Sequence, residues 1–299
     1  MKFASDHFFH IGHTHYQSGK PCQDYATSLC EGDQAIAVVA DGCSTGGQTD
    51  VGSRLVALGT LKSLREMDIR PENSLHGMLD NLQWRQRACV VGVQSRLNLS
   101  HRDLLSTCVF ACFTPQKGFV QVMGDGVVAW KRRNGVIEMI RYEWDKNAPF
   151  YPAYNWQGIE DFIAFHGGNL GAPVVTSTHA VVHSNLSDHL NGSTCFDFDD
   201  GKDTLYSGIK GGLSWAWDKT FLENVDCVAV FTDGVTQIDN VPWNEAVVRL
   251  LSFKSTAGEF AKRRMMAEIR AMQKSGKGPL DDISYSVIHV LHEDAEVSK

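Results

Sequence analysis

Two apolar runs in this chain close on the same dipeptide, "VVADGCS" at residues 38–44 and "VFTDGVTQ" at 230–237. Asp-Gly by itself is turn chemistry, because Gly accepts positive φ and Asp bonds its own backbone. Three more acids stand at run boundaries: Asp281 opens "DDISYSVIHVL", Asp125 closes "VQVMGD", and Asp24 lies in "CQDY". Any one of them reads as a turn or a cap. The set with Asp41 and Asp233 is different, because carboxylates gathered at one rim of a sheet raise one another's pKa. At ~4 Å two of them repel by roughly 4 kcal/mol at an effective dielectric near 20. Divalent cations remove that cost. Hard ions such as Mg²⁺ or Mn²⁺ take carboxylate, carbonyl and water oxygens. Two such ions ~3.5–4 Å apart can activate a water and neutralise a phosphoryl group. A Gly after the Asp leaves its carbonyl accessible for a second contact.

The elements that must carry these acids can be read from the pattern. "QAIAVVAD" (34–41) and "DCVAVFTD" (226–233) are continuous apolar runs of strand length, as expected for strands buried on both faces. Residues 2–11 alternate loosely as a strand, and "GHTHYQSGKPCQD" (12–24) is punctuated like a loop. In 49–67 the residues Val51, Leu55, Leu58, Leu61 and Leu64 recur at the helical period, with Thr49 or Asp50 as cap. A second helix is predicted from Leu75 to Leu97, burying Leu75, Met78, Leu79, Leu82, Cys89, Val93 and Leu97, with Trp84 covering its outer edge. Strands follow at 106–114, 118–125 and 127–133, and "NG" at 134–135 turns the last into "VIEMIRY". Residues 143–220 read as an irregular flap or insertion, with "APFYPAYNW" (148–156) as groove wall or core. A helix over about Glu259–Met272 and a strand over 281–291 complete the chain. With no repeat or linker, this order implies one α+β domain over 1–299, helices packed on antiparallel sheets.

Composition narrows the function. The chain has 299 residues, 43% hydrophobic and 21% charged, enough apolar content for a substantial core. A net charge of -7 argues against nucleic acid or an anionic membrane surface as partner. Eight cysteines without a CxxC imply neither zinc finger nor disulfide framework. No apolar leader and no run near ~18 apolar residues is seen, so a cytoplasmic location is expected.

The ordered set "CQDYA", "VVADGCSTGG", "STCVFACF", "VMGDGVVAWKRRNG", "AVFTDGVTQ" and "DDISYSVIHV" resembles the metal-dependent protein phosphatase family, phosphatase type 2C, in its compact bacterial branch. The resemblance runs from about residue 12 to 290. It implies a four-layer α-β-β-α sandwich of two mainly antiparallel sheets flanked by helices. It also implies two Mn²⁺ or Mg²⁺ ions, with a possible third, at one end of the sandwich. The implied activity is hydrolysis of phosphoserine and phosphothreonine by direct attack of a metal-bridging water. Asp41 matches the bridging carboxylate and Gly42 a carbonyl contact; Asp233 and Asp281 match the remaining ligands of the first metal. Asp125 matches a third-metal residue, and Asp24 an acid acting through waters. Catalysis is thereby assigned to Asp41, Asp233 and Asp281. The implied partners are a phosphorylated protein substrate and an opposing serine/threonine kinase, with the chain acting as a monomer.

The chain also departs from the family pattern. Gln23 stands where many members have Glu, and Gln237 where an acid often follows the second Asp-Gly. Cys43 follows Asp41-Gly42, and no His is placed as general acid; a Cys nucleophile would need an Arg-bearing anion loop that "DGCSTGGQTD" lacks. The phosphate-gripping Arg is missing too, so His15 and Lys20 are chosen as phosphate-binding residues, ahead of His13 and Arg54. Two other readings share the sequence: a pseudophosphatase scaffold of the same fold, and a metal-dependent hydrolase of small phosphate esters. The retained acids favour catalysis, since a scaffold has no reason to keep a repulsive cluster.

Overall fold

The computed structural model describes residues 1–169, 171, 174–183, 197–200, 204–207 and 212–292. Its strands are β1 (Lys2–His10), β2 (Asp24–Glu31), β3 (Gln34–Asp41), β4 (Cys108–Phe113), β5 (Lys117–Met123), β6 (Gly126–Arg132) and β7 (Ile137–Trp144). These are followed by β8 (Val174–His183), β9 (Asp197–Asp200), β10 (Thr204–Ser207), β11 (Leu213–Asp218), β12 (Val225–Phe231) and β13 (Ile283–Leu291). The helices are α1 (His13–Ser18), α2 (Thr49–Arg65), α3 (Leu75–Leu97), α4 (Ile159–Phe165), α5 (Lys219–Glu223), α6 (Trp243–Leu250) and α7 (Phe260–Lys274). One sheet runs β1-β13-β12-β6-β7-β8-β10, with β9 also on β8; the other runs β11-β5-β4-β3-β2. All the ladders among the described residues are antiparallel.

The continuous apolar runs follow from the layering. On β3, Ala35, Ala37 and Val39 face the core between the sheets, and Ile36, Val38 and Ala40 face α2 and α3. On β12, Val228 and Val230 join the inter-sheet core, and Cys227, Ala229 and Phe231 pack under α6 and α7. A strand covered on both faces has no position left for alternating polarity. Each fully buried Val, Ile or Phe contributes roughly 1.5–3 kcal/mol. The result is the expected four-layer α-β-β-α sandwich. No described helix is long and apolar enough to cross a membrane.

Several local expectations change. The stretch 12–24 contains α1, closed by Gly19 in the left-handed region at φ 69. Of its apolar stripe, helix α2 fully buries only Leu64; Val51, Leu55 and Leu61 are half-buried, Leu58 is exposed, and Gly52, Ser53, Val56, Ala57, Gly59, Thr60 and Ser63 take the rest of the buried face. Small residues win that face because α2 lies close against the 103–104 backbone and α3. Its cap is Gln48, whose N–H donates to Asp103 Oδ1 at 2.6 Å, rather than Thr49 or Asp50. Helix α3 has the predicted bounds and buries Met78, Leu82, Gln86, Val90 and Gln94; Val93 and Leu97 are exposed. Gln86 can be buried because its Nε2 donates to Thr60 Oγ1 at 2.6 Å, which satisfies an otherwise costly amide. Trp84 is 70% exposed and covers no edge.

The segment expected as a flap is more regular than its composition suggested. It holds α4, α5, β8, β9, β10 and β11. "APFYPAYNW" supplies core, with Phe150, Tyr151 and Ala153 buried and the Phe150 and Phe162 rings edge-on at 5.1 Å. Leu170, Ala172 and Pro173 of "HGGNLGAP", and Cys195, lie outside the described residues. Helix α6, absent from the sequence reading, buries Ala246, Val247, Val248 and Leu250 against β12 and α7.

Candidate active site

The two Asp-Gly strands belong to different sheets. β3 ends at Asp41 in the five-stranded sheet, and Asp233 follows β12 in the eight-stranded one. Asp125 lies in the short crossover from β5 to β6, where the chain passes between the sheets. Asp281 precedes β13. All four line one cavity of about 170 Å³, together with His15, Gln23, Gly42, Cys43, Ser44, Thr45, Asn147, Pro149, Tyr151 and Gln237. The glycines of the two dipeptides have a packing reason. A Cβ on Gly42 would run into the Thr49 carbonyl, and one on Gly234 into the Asp282 carbonyl. Each turn is thus pressed against a neighbouring backbone, which aims the preceding Asp at the rim.

Asp24 sits behind this wall. It opens β2 directly opposite Asp41 in the ladder, is 1% exposed, and accepts from Thr232 Oγ1 at 2.6 Å. Asp41 is anchored through its backbone: its N–H donates to Thr107 Oγ1 at 2.9 Å and its carbonyl accepts from Thr107 N at 2.8 Å. Gly42 N–H donates to the Gln23 carbonyl at 3.1 Å, so β2, β3 and the 106–107 segment hold one another in register.

The electrostatics are those of an anion cluster short of positive charge. Burial raises the Asp41 carboxyl well above its ordinary range, and the charges of Asp24, Asp233 and Asp125 raise it further. Asp24 is raised by burial and by Asp282, with its Thr232 hydrogen bond opposing. Asp125 is raised by burial and by Asp233. Asp233 is pushed up to about 6 by burial and by Asp281, while the Gln237 amide, donating from Nε2 to Asp233 Oδ2 at 2.8 Å, opposes the rise. Carboxyls this close and this buried do not all ionise together.

These residues fit a hard divalent cation. The donors are all oxygens, and Gln23 adds an observation of its own. Its Nε2 donates to Thr49 Oγ1 at 2.7 Å, while its Oε1 is buried without a hydrogen-bond partner among the described residues. An orphaned buried acceptor on the wall of an acidic cavity is explained by a cation. An amide at this position offers an oxygen without adding charge to the cluster.

Not every expected residue arrives here in the same way. His15 lines the cavity, but its Nδ1 donates to Asp282 Oδ2 at 2.8 Å. Lys20 is exposed and is not part of the lining. Arg54 stacks over Phe9 and Tyr25, with its guanidinium carbon 5.5 and 5.0 Å from the ring centroids. Cys43 lines the cavity together with Tyr151, and the lining holds no Lys or Arg.

Sequence reasoning overlooked Asp282. It is 3% exposed and accepts from Gly12 N at 2.7 Å, Gln23 N at 2.6 Å and His15 Nδ1 at 2.8 Å. It ties the start of β13 to α1 and to the residue before β2. The doubled Asp of "DDIS" was its signal, but period and run length say nothing of which acid turns inward. Tyr151 and Asn147, which complete the wall, were hidden in a stretch whose aromatics read equally as core.

Comparison with known proteins bears on the fold that carries this cavity. The family model described as Protein phosphatase 2C matches residues 11–149, somewhat under half of the chain. Among solved structures, the serine/threonine phosphatase Stp1 from Staphylococcus aureus aligns with a TM-score of 0.53 at 13% identity, covering 98% of this chain and 96% of that one. The serine/threonine phosphatase PstP/Ppp from Mycobacterium tuberculosis aligns with a TM-score of 0.50 at 15% identity, covering 98% and 100%. PppA of Pseudomonas aeruginosa, described as a regulatory component of its T6SS, aligns with a TM-score of 0.50 at 16% identity, covering 97% and 99%. Identities this low establish a common fold and nothing finer. No curated protein matches the chain. Over residues 11–149 the chain is similar to the protein phosphatase 2C family, and it shares the fold of these bacterial phosphatases over nearly its whole length.

Proposed function

We propose that this protein is a metal-dependent serine/threonine protein phosphatase that hydrolyses phosphoserine and phosphothreonine. One observation carries the reading: acids from both sheets line a single cavity, the carboxyls of Asp41, Asp125 and Asp233 raised by burial and by neighbouring carboxylates, with an unpartnered Gln23 Oε1 among them. Asp41, Asp233 and Asp281, with the Gly42 carbonyl, would hold a pair of Mn²⁺ or Mg²⁺ ions; Asp125 and Asp233 would hold a third, and Gln23 and Asp24 would act from behind. Bound there, such ions supply a water ionised near neutrality and neutralise the phosphoryl oxygens.

The chain's own residues do the rest. Thr107 and Thr232 hold Asp41 and Asp24 so that little reorganisation accompanies cation binding. Gln237 orients Asp233 by donating to its Oδ2. Tyr151 and Pro149 narrow the cavity on the side of the 148–156 segment. The natural partners on this reading are phosphorylated proteins and the kinases that modify them.

Calorimetric titration with Mn²⁺ beside a phosphatase assay tests the proposal. Stoichiometric binding with Mn²⁺-dependent release of phosphate from a phosphoserine peptide is expected. Binding without turnover would identify a scaffold of the same fold, and turnover of small aryl phosphates alone would identify a small-ester hydrolase.

A further inference from the structure

The cavity lining contains no Lys or Arg, yet its proposed substrate arrives as a phosphate dianion. The geometry points to Arg102 as the substrate-phosphate contact of this site; the inference rests on the phosphatase reading above. Arg102 belongs to the turn His101–Leu104, just before the segment that anchors Asp41. That turn is stapled to the cavity wall. Gly47 N–H donates to the Arg102 carbonyl at 3.2 Å, Gln48 N–H to Asp103 Oδ1 at 2.6 Å, and Cys43 N–H to the Leu105 carbonyl at 2.9 Å.

From this base the Arg102 side chain crosses to the wall itself, where Nη2 donates to the Thr45 carbonyl at 3.4 Å. Thr45 and its neighbours Ser44 and Cys43 line the cavity. The bond is long and engages one of five N–H groups, so most of the guanidinium's donors stay available. Arg102 is exposed and has no ion pair among the described residues. The neighbouring His101 has one, with Asp161 Oδ2 at 2.9 Å. The other cations considered are worse placed: Arg54 is stacked on aromatic rings, and the exposed Lys20 side chain, unlike that of Arg102, makes no hydrogen bond to a lining residue among the described residues. An unpaired planar fork at the rim of an acidic cavity suits bidentate capture of a phosphoryl group.

The test compares Arg102→Gln, Arg102→Lys and the control Lys146→Gln, an exposed cation beside Asn147 on another part of the rim. Steady-state kinetics on a phosphoserine peptide with Mn²⁺ would be read beside calorimetric binding of the same peptide. Arg102→Gln should raise KM and the dissociation constant about tenfold, as loss of one charge-assisted contact does, with kcat within about twofold. Arg102→Lys should recover part of the affinity, and Lys146→Gln should match the parent. Unchanged peptide affinity in Arg102→Gln would overturn the inference. So would a fall in kcat alone, because it would mean that Arg102 only shapes the Thr45 wall. Binding reports on Arg102 even if the parent shows no turnover, an outcome that would instead remove the phosphatase reading.

Discussion

Asp281 and Asp282 are adjacent in sequence and opposite in kind. The Asp282 side chain is 2% exposed and receives three hydrogen bonds from α1 and the start of β2. The Asp281 side chain is 42% exposed, faces the cavity, and accepts from the Asp282 N–H at 2.8 Å. The same contrast separates Asp282 from Asp41 and Asp233, whose side chains meet other carboxyls more than donors. A buried carboxylate supplied with donors is a structural tie. Carboxylates gathered without enough donors are what the proposed cation site requires. Burial alone does not distinguish them; the count of donors does.

Removing an acid on either side of this divide should have different consequences. Asp233→Asn should lower Mn²⁺-dependent turnover of a phosphopeptide by about 100-fold or more, a loss typical of groups that stabilise developing charge. Its thermal midpoint in chelator should not fall, because one repulsive charge is gone. A midpoint several degrees below the parent's would show that Asp233 holds the fold instead. Asp282→Ala should behave in the reverse sense, losing about 2–4 kcal/mol of stability in denaturant titration, since two buried N–H groups and the His15 ring lose their acceptor. Stability within 0.5 kcal/mol of the parent would dissolve the contrast drawn here.

The subtlest consequence concerns pH. Asp233 titrates in the folded protein at about 6 against an ordinary 3.8, so between those values the native state holds more protons than the unfolded chain. The cluster's contribution to stability is therefore present below the ordinary value and is lost as pH rises through about 6. In chelator the thermal midpoint should fall across that window, and saturating Mn²⁺ should flatten or reverse the fall. A midpoint in chelator that rises over the same interval would show that the acids are already satisfied by the protein.

Much of the site was legible before any coordinates. Strand runs ending on Asp are a one-dimensional signal, and Asp41, Asp125, Asp233 and Asp281 do share a cavity. Helix interiors were less legible. On α2 the leucines mark the period, but the close approach of neighbouring backbone awards the buried face to Gly52, Gly59 and Ser63. The stretch 148–156 looked like loop because Pro, Gly and Asn surround its aromatics; its core role comes from Phe162, whose ring meets Phe150 and Tyr154 only in the folded chain.

The sequence by itself determined that acids would stand at strand ends, because the periodicity of burial and the chemistry of turns act over a few residues. Tertiary structure alone decided which of those acids would be starved of donors, which would be tied down, and which cation would reach the rim. Those outcomes depend on groups such as Gly12, Gln23 and Thr232 brought together from distant parts of the chain, and local sequence does not encode such distances.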